Sequence, residues 1–446
     1  MRGEGLSREI RKWDLVALLV NVTVGAGIFR LPSDVQKTVG TYSLAAFVVC
    51  GVIVGLIAFC FAEVGSRFST TGGPYLYAKE AFGAPLGFMV GWLMWLTRLA
   101  GFATLAQVFV AYLGYFWPPA ESGLTRVAII TALVVVLTVI NLIGVKQSTR
   151  VGDIFTVSKL IPLALFVGVG LFFFNPAGFT LTARPSLGSF SSAVLILVYV
   201  FSGFEAVLVN SGEIREPHRV IPFALIVALS ASVVLFLLIQ VVCIGTLPQL
   251  ASSARPLAEA SGSFLGALGP PIISAGALVG IFGTLNVIML ACSRLPFAMA
   301  VQGQLPVQLA SIHRRFRTPH VSILVSAFAV LLLALPGTFI YALKFTVITR
   351  VIVYASTCAA LPILRRQARI AASIHSSVET APQGSFEVPA GMVISIICVI
   401  LCLSLLANSG WREARDVTIA AAIGLAIYTA NRFGQRNEDS DDAEAR

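Results

Sequence analysis

The sequence predicts an all-α integral membrane protein with twelve transmembrane helices, and three observations lead there. Apolar residues make up 57% of the 446-residue chain and charged residues only 12%, against roughly 45–50% and about 25% in a soluble domain. The apolar residues fall in blocks of about twenty, the helix length that crosses a ~30 Å hydrocarbon core. A soluble chain of this length is expected to form about three domains, yet no polar linker long enough to divide them occurs before the C-terminal tail.

The blocks lie at about 14–36, 42–67, 84–116, 126–145, 154–174, 190–211, 221–246, 264–300, 320–336, 338–364, 388–407 and 413–431. The first follows MRGEGLSREIRKWD and continues too long for a signal h-region, so it reads as a retained span. With a cytoplasmic N-terminus, the inner segments carry most of the cations, including Arg8, Arg11, Lys12, Arg314, Arg315, Arg317, Arg365, Arg366 and Arg369. The outer loops carry few, chiefly Lys37, Arg126, Arg184, Arg255, Arg412 and Arg415. The positive-inside rule then places both termini in the cytoplasm and the chain in the plasma or bacterial inner membrane. The tail RNEDSDDAEAR is polar and lacks aromatics, and is expected to be disordered.

The net charge of +10 comes from 31 Lys plus Arg against 21 Asp plus Glu. Because these cations sit almost entirely in short loops, with no basic face interleaved with aromatics, the charge reads as a topology signal and nucleic acid is not expected as a partner. The seven cysteines lie inside apolar blocks without CxxC spacing, suggesting packed thiols and neither a disulfide framework nor a zinc site. All four histidines fall in or beside loops, and the spans offer only isolated charges. Neither an enzyme nor a cofactor is expected. No GxxxxGK[ST] phosphate loop is present for a nucleotide-driven pump. A channel is expected to line a pore with repeated carbonyl or charged rings, and here the polarity is concentrated at two places instead.

Those two places are breaks. The first span contains Asn21-Val22-Thr23-Val24-Gly25-Ala26-Gly27-Ile28-Phe29, and the sixth contains Tyr199-Val200-Phe201-Ser202-Gly203-Phe204-Glu205. Their matching positions predict a five-plus-five inverted repeat. The expected organisation is a cytoplasmic N-terminus (1–13), a first repeat (14–174), a second repeat (190–364), two further helices (388–431) and a tail (432–446). Unwound backbone at membrane depth is tolerated only where it is buried in protein or lines a cavity, where a polar ligand can satisfy it, and helix N-termini there favour an anionic group such as a carboxylate.

The motifs GAGIF (25–29), FAEVGSRFSTTGGPYLYAKEAFG (61–83), FSGFEAVLVNSGEIREPHRVIP (201–222) and CSRLPFAMAVQGQLP (292–306) resemble the amino acid–polyamine–organocation superfamily of secondary transporters. VGDIFTVSKL (151–160) and Arg98 bring the chain closest to the L-type amino acid exchangers and their bacterial relatives. The resemblance implies the LeuT-like fold and transport of amino acids by alternating access, through exchange or proton coupling. A neutral substrate is expected, and cationic amino acids or amines are the alternative. It also implies that the substrate carboxylate meets N–H groups of Val24, Gly25, Ala26, Gly27 and Ile28. The amino group would meet carbonyls of Val200, Phe201 and Ser202 beside Gly203, with Thr23 nearby and Tyr199 as a gate. The animal exchangers link to a heavy chain through a cysteine after the third span. PPAESGLTR (118–126) has none, so no disulfide-linked partner is expected.

Ionisable residues at membrane depth cost about 2.5–3.5 kcal/mol each on insertion scales and are functional candidates for that reason. Lys159 is a candidate for proton exchange, and the resemblance adds the alternative of a fixed cation bracing the first break. Glu205 follows the second break and is a candidate coupling or gating group. Arg98 and Arg350 are expected to pair with Glu205, Glu63 or helix-end carbonyls, and an anionic substrate is the alternative for Arg98. Glu213, Arg215 and Glu216 with Pro217 form one cytoplasmic connection, and Glu63, Arg67, Gly72 and Gly73 its counterpart after span two; together they are a candidate inner gate or solvated loops.

Overall fold

The computed structural model describes residues 11–68, 73–143, 149–179, 184–205, 214–374 and 386–444, and every element among them is helical. Among these residues lie fifteen α-helices and several short 3-10 turns. The first half contains α1 (Lys12–Thr23), α2 (Leu31–Val39), α3 (Ser43–Ser66), α4 (Pro74–Phe82), α5 (Ala84–Leu113), α6 (Gly123–Ile143) and α7 (Thr149–Gly170). The second contains α8 (Leu187–Leu197), α9 (Pro217–Thr246), α10 (Pro256–Leu265), α11 (Gly269–Val301), α12 (His320–Ala334) and α13 (Phe339–Ile374), followed by α14 (Gly391–Ala407) and α15 (Trp411–Glu444).

Among the described residues, six helical stretches are long and apolar enough to cross a membrane. The pair Gly391–Ala407 and Trp411–Arg432, bent by 115°, makes a seventh if counted as one span. Length alone does not reach the twelve spans read from the sequence, because the first, fifth, sixth and ninth blocks hold only shorter helices and the last two count as one bent pair. α1 has 12 residues and α8 has 11, each about 16–18 Å long at 1.5 Å per residue. The last helix extends to Glu444, through the polar stretch expected to be disordered.

Packing is densest around α5, whose most apolar window is 83% buried and which lies against α11, α12 and α13. By contrast, only 33% of the corresponding window of α6 is buried, and Val135, Val136 and Val139 face outward. A helix that is apolar all round yet exposed on one side is suited to hydrocarbon. α9 packs on α3 and α1, and α11 on α7, leaving the two breaks at the centre between these groups. Three cysteines from different helices also converge: the sulfurs of Cys60 (α3), Cys358 (α13) and Cys398 (α14) lie within 4.8 Å of one another, a proximity that no spacing in the sequence suggests.

Both breaks have local causes. α1 ends in Val22-Thr23-Val24, β-branched residues that crowd a helix, followed by two glycines that destabilise it further. The Val24 N–H still bonds the Val20 carbonyl, but the Gly25 N–H turns back to the Thr23 carbonyl, and the chain re-enters a 3-10 turn over Ala26–Phe29. The second break follows α8. The N–H groups of Tyr199 and Val200 bond back by three residues to Ile196 and Leu197, and Gly203 then takes φ +112°, a region open to glycine and strained for other residues.

Candidate functional site

The two breaks face one cavity of about 440 Å³. From the first break it is lined by Asn21, Val22, Thr23, Gly25, Ala26 and Gly27, and from the second by Tyr199, Val200, Ser202, Gly203 and Glu205. Lys159 of α7, Arg98 of α5 and Arg350 of α13 complete its charged wall. Three residues singled out from the sequence do not line it. Val24 and Ile28 are buried on the far side of the first break, and Phe201 packs edge-on against Phe47 and Phe236. Side chains alternate around an unwound segment, so a contiguous run cannot all face one cavity.

The 3-10 turn Ala26–Phe29 presents its N-terminal N–H groups without partners inside the turn, an anion-favouring end. Opposite it, the last carbonyls of α8 are taken by the N–H groups of Val198 to Phe201, and the backbone beyond them forms the C-terminal, cation-favouring end of that helix. Tyr199 spans the gap. A Cβ on Gly27 would lie 2.7 Å from both Cδ1 and Cε1 of its ring, so the two breaks touch here only because residue 27 has no side chain. The Tyr199 hydroxyl reaches to 3.4 Å from the Gly101 carbonyl on α5.

The charges divide into engaged and open groups. Lys159 Nζ donates to the Asn21 carbonyl and so ties α7 to the open end of α1. Glu205 is held on three sides: Arg350 Nε lies 3.2 Å from Oε1, while the Tyr354 hydroxyl and the Gly203 N–H each donate to Oε2 at 2.9 Å. Arg350 also donates to Ser202 Oγ, and its guanidinium lies 5.9 Å from the Tyr199 ring centre. The second break is therefore fastened to α13. Arg98 donates to the Ala291 carbonyl at 3.1 Å and makes no ion pair within 4 Å among the described residues.

Arg350 reads from the sequence as a cation at depth without a place in the site, and Thr97, Thr284 and Tyr354 also line the cavity without having stood out in the sequence. No motif marks them. The available signal was helical spacing: Arg350 and Tyr354 are one turn apart on the same face of α13.

Both ends of the protein are tied by charged side chains. Glu63 has no exposure and is bound by Arg365 at 2.6 and 2.7 Å, by Arg67 at 2.9 Å and by the Val388 N–H at 2.8 Å. This joins α3, α13 and the entry to α14, and the partners of Glu63 are Arg365 and Arg67 rather than the Arg98 or Arg350 offered from the sequence. In that loop Arg215 and Glu216 are exposed, and Glu213, like Gly72, lies outside the described residues. At the other end, Arg30 pairs with Asp34 at 3.2 Å and donates to the Ala254 carbonyl at 2.9 Å, while the Tyr112 hydroxyl donates to the Phe29 carbonyl at 2.8 Å.

The family described as amino acid permease matches residues 10–429. The chain belongs to that family. It is 27% identical over 440 residues to an arginine/agmatine antiporter of Chlamydia pneumoniae, covering 93% of this chain and 88% of that protein. It is 30% identical over 337 residues to a serine/threonine exchanger of Bacillus subtilis, covering 72% and 74%. It is also 27% identical over 442 residues to the large neutral amino acids transporter small subunit 2 of Mus musculus, covering 95% and 80%. In this permease the cavity offers an anion-favouring turn, a cation-favouring helix end and a separate set of arginines.

Proposed function

We propose that this permease is a secondary transporter that carries α-amino acids across a cell membrane by alternating access. The observation that carries the reading is that two helix breaks of opposite polarity face one cavity. A zwitterion fits that pair of ends: its carboxylate meets the open N–H groups of Ala26 and Gly27 at the start of the 3-10 turn, and its ammonium meets carbonyls of the second break beyond α8. Both contacts are made by backbone and recognise what all α-amino acids share. The amino acid transporters and exchangers among its relatives support the same substrate class.

The architecture we propose is the twelve-span, five-plus-five repeat with both termini cytoplasmic. Its first repeat covers 14–174 and its second 190–364, and substrate is bound between them. Lys159 holds the first break through Asn21, and the Glu205–Arg350 pair holds the second against α13. Small movements at these points are transmitted to the Glu63–Arg365 cluster and the Arg30–Asp34 cluster at the two ends. We place Lys159 or Glu205 in any proton path. No heavy-chain partner joined by a disulfide is part of this proposal.

Uptake into proteoliposomes tests it. Labelled amino acid is expected to enter vesicles preloaded with unlabelled amino acid, or empty vesicles under an inward proton gradient. The first result makes the protein an exchanger with Lys159 as a fixed cation, and the second makes it a symporter. Failure of all amino acids in both formats refutes the reading.

A further inference from the structure

We propose that Cys60, Cys358 and Cys398 form a binding site for a soft monovalent cation, copper(I), which ties α3, α13 and α14 together beside the Glu63–Arg365 cluster.

The three sulfurs lie within 4.8 Å of one another, and all three residues are buried. Each comes from a different helix, so the lack of CxxC spacing along the chain does not bear on them. A metal–sulfur bond of about 2.3 Å sets three sulfurs around a central ion about 4 Å apart. The triangle, at most 4.8 Å on a side, therefore has to close by less than about 1 Å. Close packing of helices in a bilayer calls for small residues. Alanine or serine meets that need equally well, and packing by itself does not bring three sulfurs to one point.

The donor set selects the ion. Thiolates favour soft cations such as copper(I) and zinc over magnesium and calcium. Structural zinc is almost always four-coordinate and tetrahedral, whereas among the described residues the cluster offers three ligands. Copper(I), with no need of a fourth ligand, is complete with three sulfurs. On coordination an S–H bond gives way to an S–Cu bond, the proton passes to solvent, and no electron is transferred. Thiolate charge is costly in an apolar interior, and Arg365 lies within electrostatic reach of Cys60 to offset it.

The surroundings put the ion at a joint. Cys60 stands about one turn before Glu63 on α3, and Cys358 about two turns before Arg365 on α13. The Ser395 hydroxyl of α14 donates to the Cys358 carbonyl at 2.7 Å, which holds Cys398, about one turn further along, against α13. Glu63, Arg365 and the Val388 N–H join these same elements at one level, and the ion joins them at the next. Only one face of α14 is packed: Gly391, Ser395, Cys398 and Cys402 are buried, while Val393, Ile396, Ile400 and Leu403 are exposed. Outward movement of this helix opens the sulfur triangle and admits the ion.

The test is equilibrium titration of the detergent-purified full chain with copper(I), kept reduced by ascorbate and buffered by a chromophoric copper(I) chelator. One copper(I) per chain is expected to bind and to raise Tm, as a ligand of the folded state does. Cys60→Ser, Cys358→Ser and Cys398→Ser are each expected to weaken binding by at least about tenfold, since even the loss of a group supporting a ligand costs that much. Cys243→Ser, on α9 and outside the cluster, is expected to leave binding unchanged. Should the cluster variants not fold, X-ray absorption at the copper edge of the loaded wild-type protein counts the ligands directly, and three sulfurs are expected. No saturable binding, binding that survives undiminished in all three cluster variants, or a copper shell of nitrogen or oxygen overturns the proposal.

Discussion

Replacing Gly27 by alanine adds one methyl group where the two breaks meet. The new Cβ would lie 2.7 Å from Cδ1 and Cε1 of Tyr199, whereas carbon atoms pack best at about 3.5–4.0 Å. One side must retreat by about 1 Å. The Tyr199 ring has little room to do so, because it is only 9% exposed, it faces Arg350, and its hydroxyl lies 3.4 Å from the Gly101 carbonyl. Overpacking of this kind costs typically 1–3 kcal/mol, equivalent to a loss of about fivefold to 150-fold in affinity if it falls on the ligand-ready state. Equilibrium binding of a labelled amino acid, with Tm measured on the same detergent-purified protein, reads both consequences. Gly55→Ala on α3 serves as the control: a Cβ there meets nothing within 4 Å, and it is expected to leave binding unchanged. Wild-type affinity and Tm in Gly27→Ala would refute the close approach of the two breaks.

Three further outcomes follow from the charged contacts. Glu205→Gln leaves Arg350 without its anion and is expected to cost about 3–5 kcal/mol, the range for one broken buried pair; Tm should fall and partly recover in Glu205→Gln with Arg350→Gln, and an unchanged Tm in the single variant contradicts the clamp. Glu63→Gln is expected to lower Tm at least as much, because Glu63 is fully buried between Arg365 and Arg67 with the Val388 N–H on the same carboxylate; a thermal melt checks it. Lys159→Ala is expected to abolish proton-driven accumulation if Lys159 carries the coupled proton, with exchange surviving, and accumulation at the wild-type rate removes Lys159 from that role.

The sequence determined the all-helical, apolar character of the chain, its family and the location of both breaks. These are local properties: span length follows from hydropathy, and a break follows from β-branched residues running into glycines. It also placed cations at depth, because a charge in an apolar run is visible without any fold. Partner choice was not legible, since it depends on which helix faces which. Arg350 meets Glu205 across 145 residues, and Glu63 meets Arg365 rather than the arginines at depth offered as its partners. Only the tertiary structure separated the residues of the breaks that line the cavity from Val24, Ile28 and Phe201, which turn away. It alone showed Arg98 at the junction of two cavities and brought Cys60, Cys358 and Cys398 together from three helices. Hydropathy and helix-breaking residues report on neighbours along the chain, whereas a binding site is a set of directions in space that helix packing fixes.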